Sequence, residues 1–193
     1  MRCIHRLVAV GLFWAGNTFG ATLQNPSFEL FDDAMRPTGW AYVASGTPAA
    51  EGLASAEWVT NGAWAFKISS PTENTPGTNV GVEQDVDFTG LLSIEFDARI
   101  SVAAGNGCYL DFLIYEGQIP TAYWSRSEPG TWLDQSVDVS HLSGVYRIAF
   151  RYVWGSPIFT GPATAYVDNV RLHEAPVSAQ RSTWGRIKVL YGR

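Results

Sequence analysis

Residues 91–101 alternate apolar and polar side chains without a break, with Leu92, Ile94, Phe96, Ala98 and Ile100 on one side and Ser93, Glu95, Asp97, Arg99 and Ser101 on the other. A period of two is what a pleated strand imposes, and a helix cannot gather such a pattern on one face. Residues 145–154 repeat it, with Tyr146, Ile148, Phe150, Tyr152 and Trp154 set against Val145, Arg147, Ala149, Arg151 and Val153. Similar runs lie at 40–45, 53–59, 63–69, 80–88, 107–116, 119–126, 131–139 and 163–173. Turn-forming clusters separate them, as at Ser70-Pro71-Thr72-Glu73-Asn74-Thr75-Pro76-Gly77 and Gly155-Ser156-Pro157. This spacing, with no amphipathic helical stretch, predicts an all-β chain folded as a two-sheet antiparallel β-sandwich of the jelly-roll type.

The two ends read differently from the body. Arg2, His5 and Arg6 precede the apolar run at 7–14, and Thr18-Phe19-Gly20-Ala21 offers the small residues of a cleavage site. These are the marks of a signal peptide over 1–20, and the run is too short to cross a bilayer. The expected product is secreted, or held at the cell surface or in the periplasm, and does not span a membrane. Losing Arg2 and Arg6 from 13 basic residues leaves 11 against 18 acidic ones, a net charge near −7. A chain that neutralises phosphates needs the opposite balance, so a nucleic-acid partner is not expected. Cys3 leaves with the leader, and Cys108 is expected to be a small buried hydrophobe.

The jelly-roll domain is expected over 21–174. Residues 175–182 resemble a linker, and 183–193 are basic, with Trp184, Ile187, Lys188 and Tyr191 sharing one stripe at helical spacing. Such a segment is too short to be a stable helix alone. It either docks on the domain, docks on an envelope component or protein, or stays disordered.

Chemistry-bearing motifs are scarce. There is no nucleophile elbow, zinc-protease motif, phosphate-binding loop or dinucleotide fingerprint. His141 sits in a turn, where solvent exposure is expected. Glu95-Phe96-Asp97 begins like the Glu-x-Asp-x-x-Glu strand of laminarinase-type jelly-roll glycosidases, but Ile100 stands where the second glutamate belongs. A retaining mechanism needs two carboxyls about 5–5.5 Å apart. Catalysis is therefore not expected, and a glycoside hydrolase is only a third reading.

Three other motifs occur in a fixed order: Asn25-Pro26-Ser27-Phe28-Glu29 with Pro37-Thr38-Gly39-Trp40, then Asn61-Gly62-Ala63-Trp64-Ala65-Phe66-Lys67-Ile68, then Ala165-Tyr166-Val167-Asp168-Asn169-Val170-Arg171-Leu172. Together they resemble the galactose-binding-like jelly rolls, and most closely the carbohydrate-binding modules of families 4, 9, 16 and 22. The resemblance spans about residues 21–174. It implies a structural calcium ion, with carboxylates from Glu29 and Asp168, the carbonyls of Ser27 and Trp64, and a side-chain oxygen from Asn61. Calcium takes six to eight oxygens of these kinds.

A sugar binder also needs exposed aromatic rings beside polar side chains. Trp40, Trp64 and Trp154 lie within apolar faces or fold motifs and are expected to be structural. Trp132 is expected to pack as well, whereas Tyr123 and Trp124 have fewer apolar neighbours and are expected to be exposed. Opposite Leu110, Phe112 and Ile114 stand Tyr109, Asp111, Leu113 and Tyr115; Arg99, Arg147 and Arg151 occupy polar faces of their own runs. In the resembled fold these strands share a sheet, whose concave face carries glycan in families 4 and 22. The expected ligand set is Arg99, Tyr109, Asp111, Tyr115, Tyr123, Trp124, Arg147 and Arg151. The alternative is a solvated face of cross-strand ion pairs on a structural or adhesive cell-surface protein with a protein partner. Two or more exposed rings on that face favour the glycan; a purely charged face favours the alternative.

Overall fold

The computed structural model describes residues 22–46, 50–71, 75–105, 107–155 and 161–176; the leader at 1–20 and the basic segment at 183–193 lie outside the described residues. Ten strands form: β1 (Ala41–Ser45), β2 (Glu51–Ser55), β3 (Ala65–Ser70), β4 (Thr78–Asp87), β5 (Leu91–Val102), β6 (Cys108–Glu116), β7 (Ile119–Arg126), β8 (Gly130–Asp138), β9 (Val145–Trp154) and β10 (Ala163–Glu174). They build two five-stranded antiparallel sheets, in the orders β1-β4-β9-β6-β7 and β2-β3-β10-β5-β8. Among the described residues there is no helix, and none therefore long and apolar enough to cross a membrane.

Each apolar run lands on a strand. The largest departure is β2, expected at 53–59 and found at Glu51–Ser55. After Ser55 the backbone donors leave the ladder: Glu57 N–H turns back to Ser55 Oγ at 3.2 Å, and the amides at 60–64 serve carboxylates elsewhere in the chain.

One expectation of sheet membership fails. β6 and β9 pair directly, but β5 lies in the other layer, between β10 and β8. The alternation of β5 says which of its faces is apolar, and either sheet of a sandwich accepts that pattern. The chain crosses between layers after β5, so Arg99 stands opposite Tyr166 and Thr131, on the sheet away from β6 and β9.

Between the sheets runs an aromatic core. Phe96 from one layer meets Phe112 and Phe150 from the other at ring-centroid distances of 5.2 and 5.0 Å, and Phe112 and Phe150 stand 4.9 Å apart. Trp40 extends the cluster to Phe28, at 5.3 Å. Each such ring removes a large apolar area from water and gains from tilted packing. Cys108 is fully buried in this core.

Candidate functional site

The outer face of the β1-β4-β9-β6-β7 sheet gathers most of the expected ligand set. Alternation along β6 sends Cys108, Leu110, Phe112 and Ile114 inward, so Tyr109, Asp111, Leu113 and Tyr115 face out. Register then places Arg151 beside Asp111 and Arg147 beside Tyr115 on β9, with Gly81 and Asp85 next to them on β4. Gly81 and Ala149 keep the middle of this face low.

A single carboxylate holds both arginines. Glu83 Oε2 accepts from Arg151 Nη2 at 2.7 Å, and Glu83 Oε1 lies 3.2 Å from Arg147 Nη1. Arg147 Nε also donates to Asp85 Oδ1 at 3.1 Å. The Arg151 guanidinium sits 5.3 Å from the centroid of the Tyr115 ring. Exposed ion pairs add little stability. They do fix the donors and the ring in one geometry before any ligand arrives, which lowers the ordering cost of binding. Sequence reasoning missed Glu83 and Asp85, because only the register shows them beside the arginines.

Asp111 is partly buried, and its Oδ1 accepts from the Ser125 hydroxyl at 2.5 Å. Burial pushes its pKa above the ordinary 3.8, with the Ser125 bond opposing. Burial likewise raises the Tyr115 phenol, with Arg151 pulling the other way. Tyr109 is 40% exposed and Tyr115 is half-buried beside the Arg151 guanidinium, so this face carries one exposed and one partly covered tyrosine ring together with its charges.

Three expected ligand residues sit elsewhere. The β6–β7 register slips between Phe112 and Leu113, so Trp124 opposes Phe112 and turns inward. It is 9% exposed, packs edge-on against Phe96 at 5.3 Å, and donates from Nε1 to Gln135 Oε1 at 3.1 Å. Tyr123, at the slip itself, is half-buried and lies 6.4 Å from His141, which is exposed as expected. The scarcity of apolar neighbours in sequence misled here, because the partners of Trp124 come from other strands. Arg99 is on the opposite sheet, as described above.

On the outer side of that opposite sheet, the residues of the implied calcium site converge. Asp168 is fully buried; its Oδ2 accepts from Thr60 N–H at 2.7 Å, Asn61 N–H at 2.9 Å and the Thr60 hydroxyl at 3.1 Å. Its Oδ1 accepts from Asn169 N–H at 2.7 Å. Glu29 Oε1 accepts from Ala63 N–H at 2.8 Å and Trp64 N–H at 3.0 Å. Asn61 Nδ2 reaches Ser27 Oγ at 3.0 Å and Asn169 Oδ1 at 3.1 Å. Gly62 has φ near +82°, and the Glu29 carboxylate occupies the place of its absent Cβ, so any side chain there would strain the backbone and displace Glu29 from its amide donors. Burial raises the Asp168 pKa, against the lowering effect of its N–H donors.

This donor set is all oxygen and comes from three separate segments, which suits a hard cation. The N–H groups already compensate much of both carboxylates, while one lone pair of Asp168 Oδ1 and the Glu29 Oε2 atom stay available among the described contacts. Glu95 and Asp97, the incomplete glycosidase motif, are otherwise engaged. Glu95 pairs with His173 at 2.9 Å and Arg171 at 3.4 Å, and Asp97 accepts from Asp134 N–H at 2.7 Å and Asn169 Nδ2 at 3.0 Å.

No family model matches this chain, and no curated protein matches it in sequence. Solved structures match it in shape. The carbohydrate-binding module TmCBM61 in complex with β-1,4-galactotriose aligns with a TM-score of 0.54 at 14% identity, covering 80% of this chain and 99% of that one. The K2 cleaved adhesin domain of Lys-gingipain aligns at 0.52 and 14% identity, covering 76% and 96%. The enzymatically active domain of bacteriophage CBA120 tailspike protein 4 aligns at 0.52 and 13%, but only 21% of that chain is matched. The likeness establishes the fold, a jelly-roll sandwich of the kind carbohydrate-binding modules use. What such a sandwich binds is decided by its surface.

Proposed function

We propose that this chain is a non-catalytic carbohydrate-binding module that holds a glycan across the outer face of the β1-β4-β9-β6-β7 sheet. The observation that carries this reading is the placing of the exposed Tyr109 ring and the half-buried Tyr115 ring with Asp111, Arg147 and Arg151 on one pre-paired surface. A ring face is electron-rich and attracts the C–H groups of a pyranose. Convergent donors and acceptors beside it read hydroxyl groups. The ordering of the arginines by Glu83 supports binding, since a purely solvated face has no need of a shared, half-buried carboxylate.

The same reading takes the leader at 1–20 to direct the chain out of the cytoplasm, where polysaccharide is met. It also takes calcium as a structural ion held by Glu29, Asp168, Asn61 and the carbonyls of Ser27 and Trp64. The ion would neutralise two carboxylates and has no part in ligand chemistry.

A glycan array on the mature chain tests the reading first. Calorimetric titration of the strongest hit into wild type and Tyr115→Ala tests it at the residue. Loss of the ring is expected to weaken binding about tenfold or more, equivalent to about 1.4 kcal/mol, with unchanged melting. Equal affinities would remove this face from the ligand site.

A further inference from the structure

The β7–β8 edge of the sandwich contains a cavity of about 350 Å³, lined by Tyr109, Ser125, Arg126, Glu128 and Trp132 among others. It wraps around β7. Ser125 and Tyr109 belong to the outer face, whereas Arg126, opposite the core residue Leu110, points into the seam between the sheets. Residues 127–129, the connection to β8, wall the cavity beyond Arg126.

Its side chains are held in place. The Arg126 guanidinium lies 5.0 Å from the Trp124 ring and 5.6 Å from the Trp132 ring, and its Nη1 donates to the Ser125 carbonyl at 2.7 Å. Trp124 and Trp132 meet edge to face at 5.6 Å. The Trp132 ring lies over Gly130, where a Cβ would stand 2.7 Å from Cζ2 and 2.8 Å from Cη2. Among the described residues no carboxylate pairs with Arg126, and no cation pairs with Glu128. A guanidinium held against two indoles, with donors left over and a carboxylate in the same cavity lining, is poorly explained by stability alone.

We infer that this edge cavity is a second sugar subsite, continuous with the outer face through Tyr109 and Ser125, and that it receives one neutral pyranose ring at the end of the bound glycan. The inference rests on the glycan reading of that face. Neutrality follows from the formal charges: Arg126 offers donors to hydroxyl oxygens, Glu128 accepts hydroxyl hydrogens, and together they carry no net charge. A single ring follows from the volume, at the small end of the roughly 300–1,000 Å³ that ligand pockets span. Trp132 and Tyr109 supply the apolar faces, and the wall at 127–129 makes the ring a terminal one.

The test titrates β-1,4-linked galacto- and gluco-oligosaccharides of two to five residues, with any further array hit, into five proteins: wild type, Tyr115→Ala, Trp132→Ala, Gly130→Ala and Arg126→Gln. Gly130→Ala displaces the Trp132 ring, and Arg126→Gln removes the charge; both keep the test valid should Trp132→Ala fold poorly. Tyr115→Ala is expected to weaken every length. The edge variants are expected to erase only the affinity gained from one residue of the ladder, about tenfold, so that their optimum is one sugar shorter than wild type. Edge variants whose ladders overlay the wild type, while Tyr115→Ala still weakens binding, would overturn the subsite and leave the outer face standing. A blank array with no binding at any length would overturn both.

Discussion

Within Asn25-Pro26-Ser27-Phe28-Glu29 every residue has its own task. Asn25 Nδ2 donates to the Leu30 carbonyl at 2.6 Å and the Thr38 carbonyl at 3.0 Å, and its Oδ1 accepts from Leu30 N–H at 3.0 Å. The Pro26 carbonyl takes Val170 N–H at 2.9 Å, Phe28 is fully buried, and Glu29 caps the amides of Ala63 and Trp64. Backbone groups that no sheet pairs are thus satisfied by side chains. On the proposed binding face the corresponding residue is Asp111. Burial raises its pKa, so its ionised form is disfavoured in the folded chain and its contribution to stability, full below pH 3.8, is lost as pH rises through the raised value. The ionised carboxylate is the stronger acceptor for a ligand hydroxyl, so glycan affinity is expected to fall as pH drops through that same window. Asp111→Asn is expected to melt no lower than wild type at neutral pH and to lose the pH dependence of binding. Titrations between pH 3.5 and 7 with parallel melting curves check both, and an unchanged pH profile would remove Asp111 from the site.

At the scale of elements, the slip in the β6–β7 register decides what β7 is for. By moving Trp124 inward it converts an edge strand into a lid on the seam, with Trp132 of β8 packed against it. Trp124 should therefore behave as a core residue and Tyr109 as a surface one. Trp124→Ala is expected to cost about 3–5 kcal/mol in urea denaturation, as buried aromatic truncations do. Tyr109→Ala is expected to stay within about 0.5 kcal/mol. A small effect at Trp124 would mean that its ring is not part of the core.

Taken as a whole, the molecule is two layers packed through the core, with the N-terminal segment tied to the outside of one of them. The 60–64 segment receives Glu29 from the N-terminal side and Asp168 from β10, so three distant parts of the chain meet there. Calcium bound at this junction would stabilise only the folded chain, by mass action. Added calcium is expected to raise the melting temperature of metal-stripped protein by several degrees, and Asp168→Ala to abolish the difference. Because burial raises the Asp168 pKa above 3.8, the ionised carboxylate is disfavoured in the fold, and the calcium effect should fade as pH falls through that raised value. Melting that ignores calcium at neutral pH would leave the N–H donors as the entire staple.

The alternation at 91–101 and 145–154 determined that the chain is all-β, where its strands run and which face of each is buried, because side-chain direction is a local property of an extended backbone. Alternation at 107–116 identified Tyr109, Asp111 and Tyr115 as outward-facing, and that at 145–154 did so for Arg147 and Arg151. Such alternation could not assign β5 to a layer, since both sheets of a sandwich present the same pattern to the core. Nor could it foresee that Trp124 turns inward, which depends on a register slip set by the pairing of two strands. Glu83 between two arginines, the Thr60 and Asn61 amides on Asp168, and the Ala63 and Trp64 amides on Glu29 all join residues far apart in sequence. Their distances exist only once the sheets have stacked, because strand order and register, rather than local periodicity, decide which side chains become neighbours.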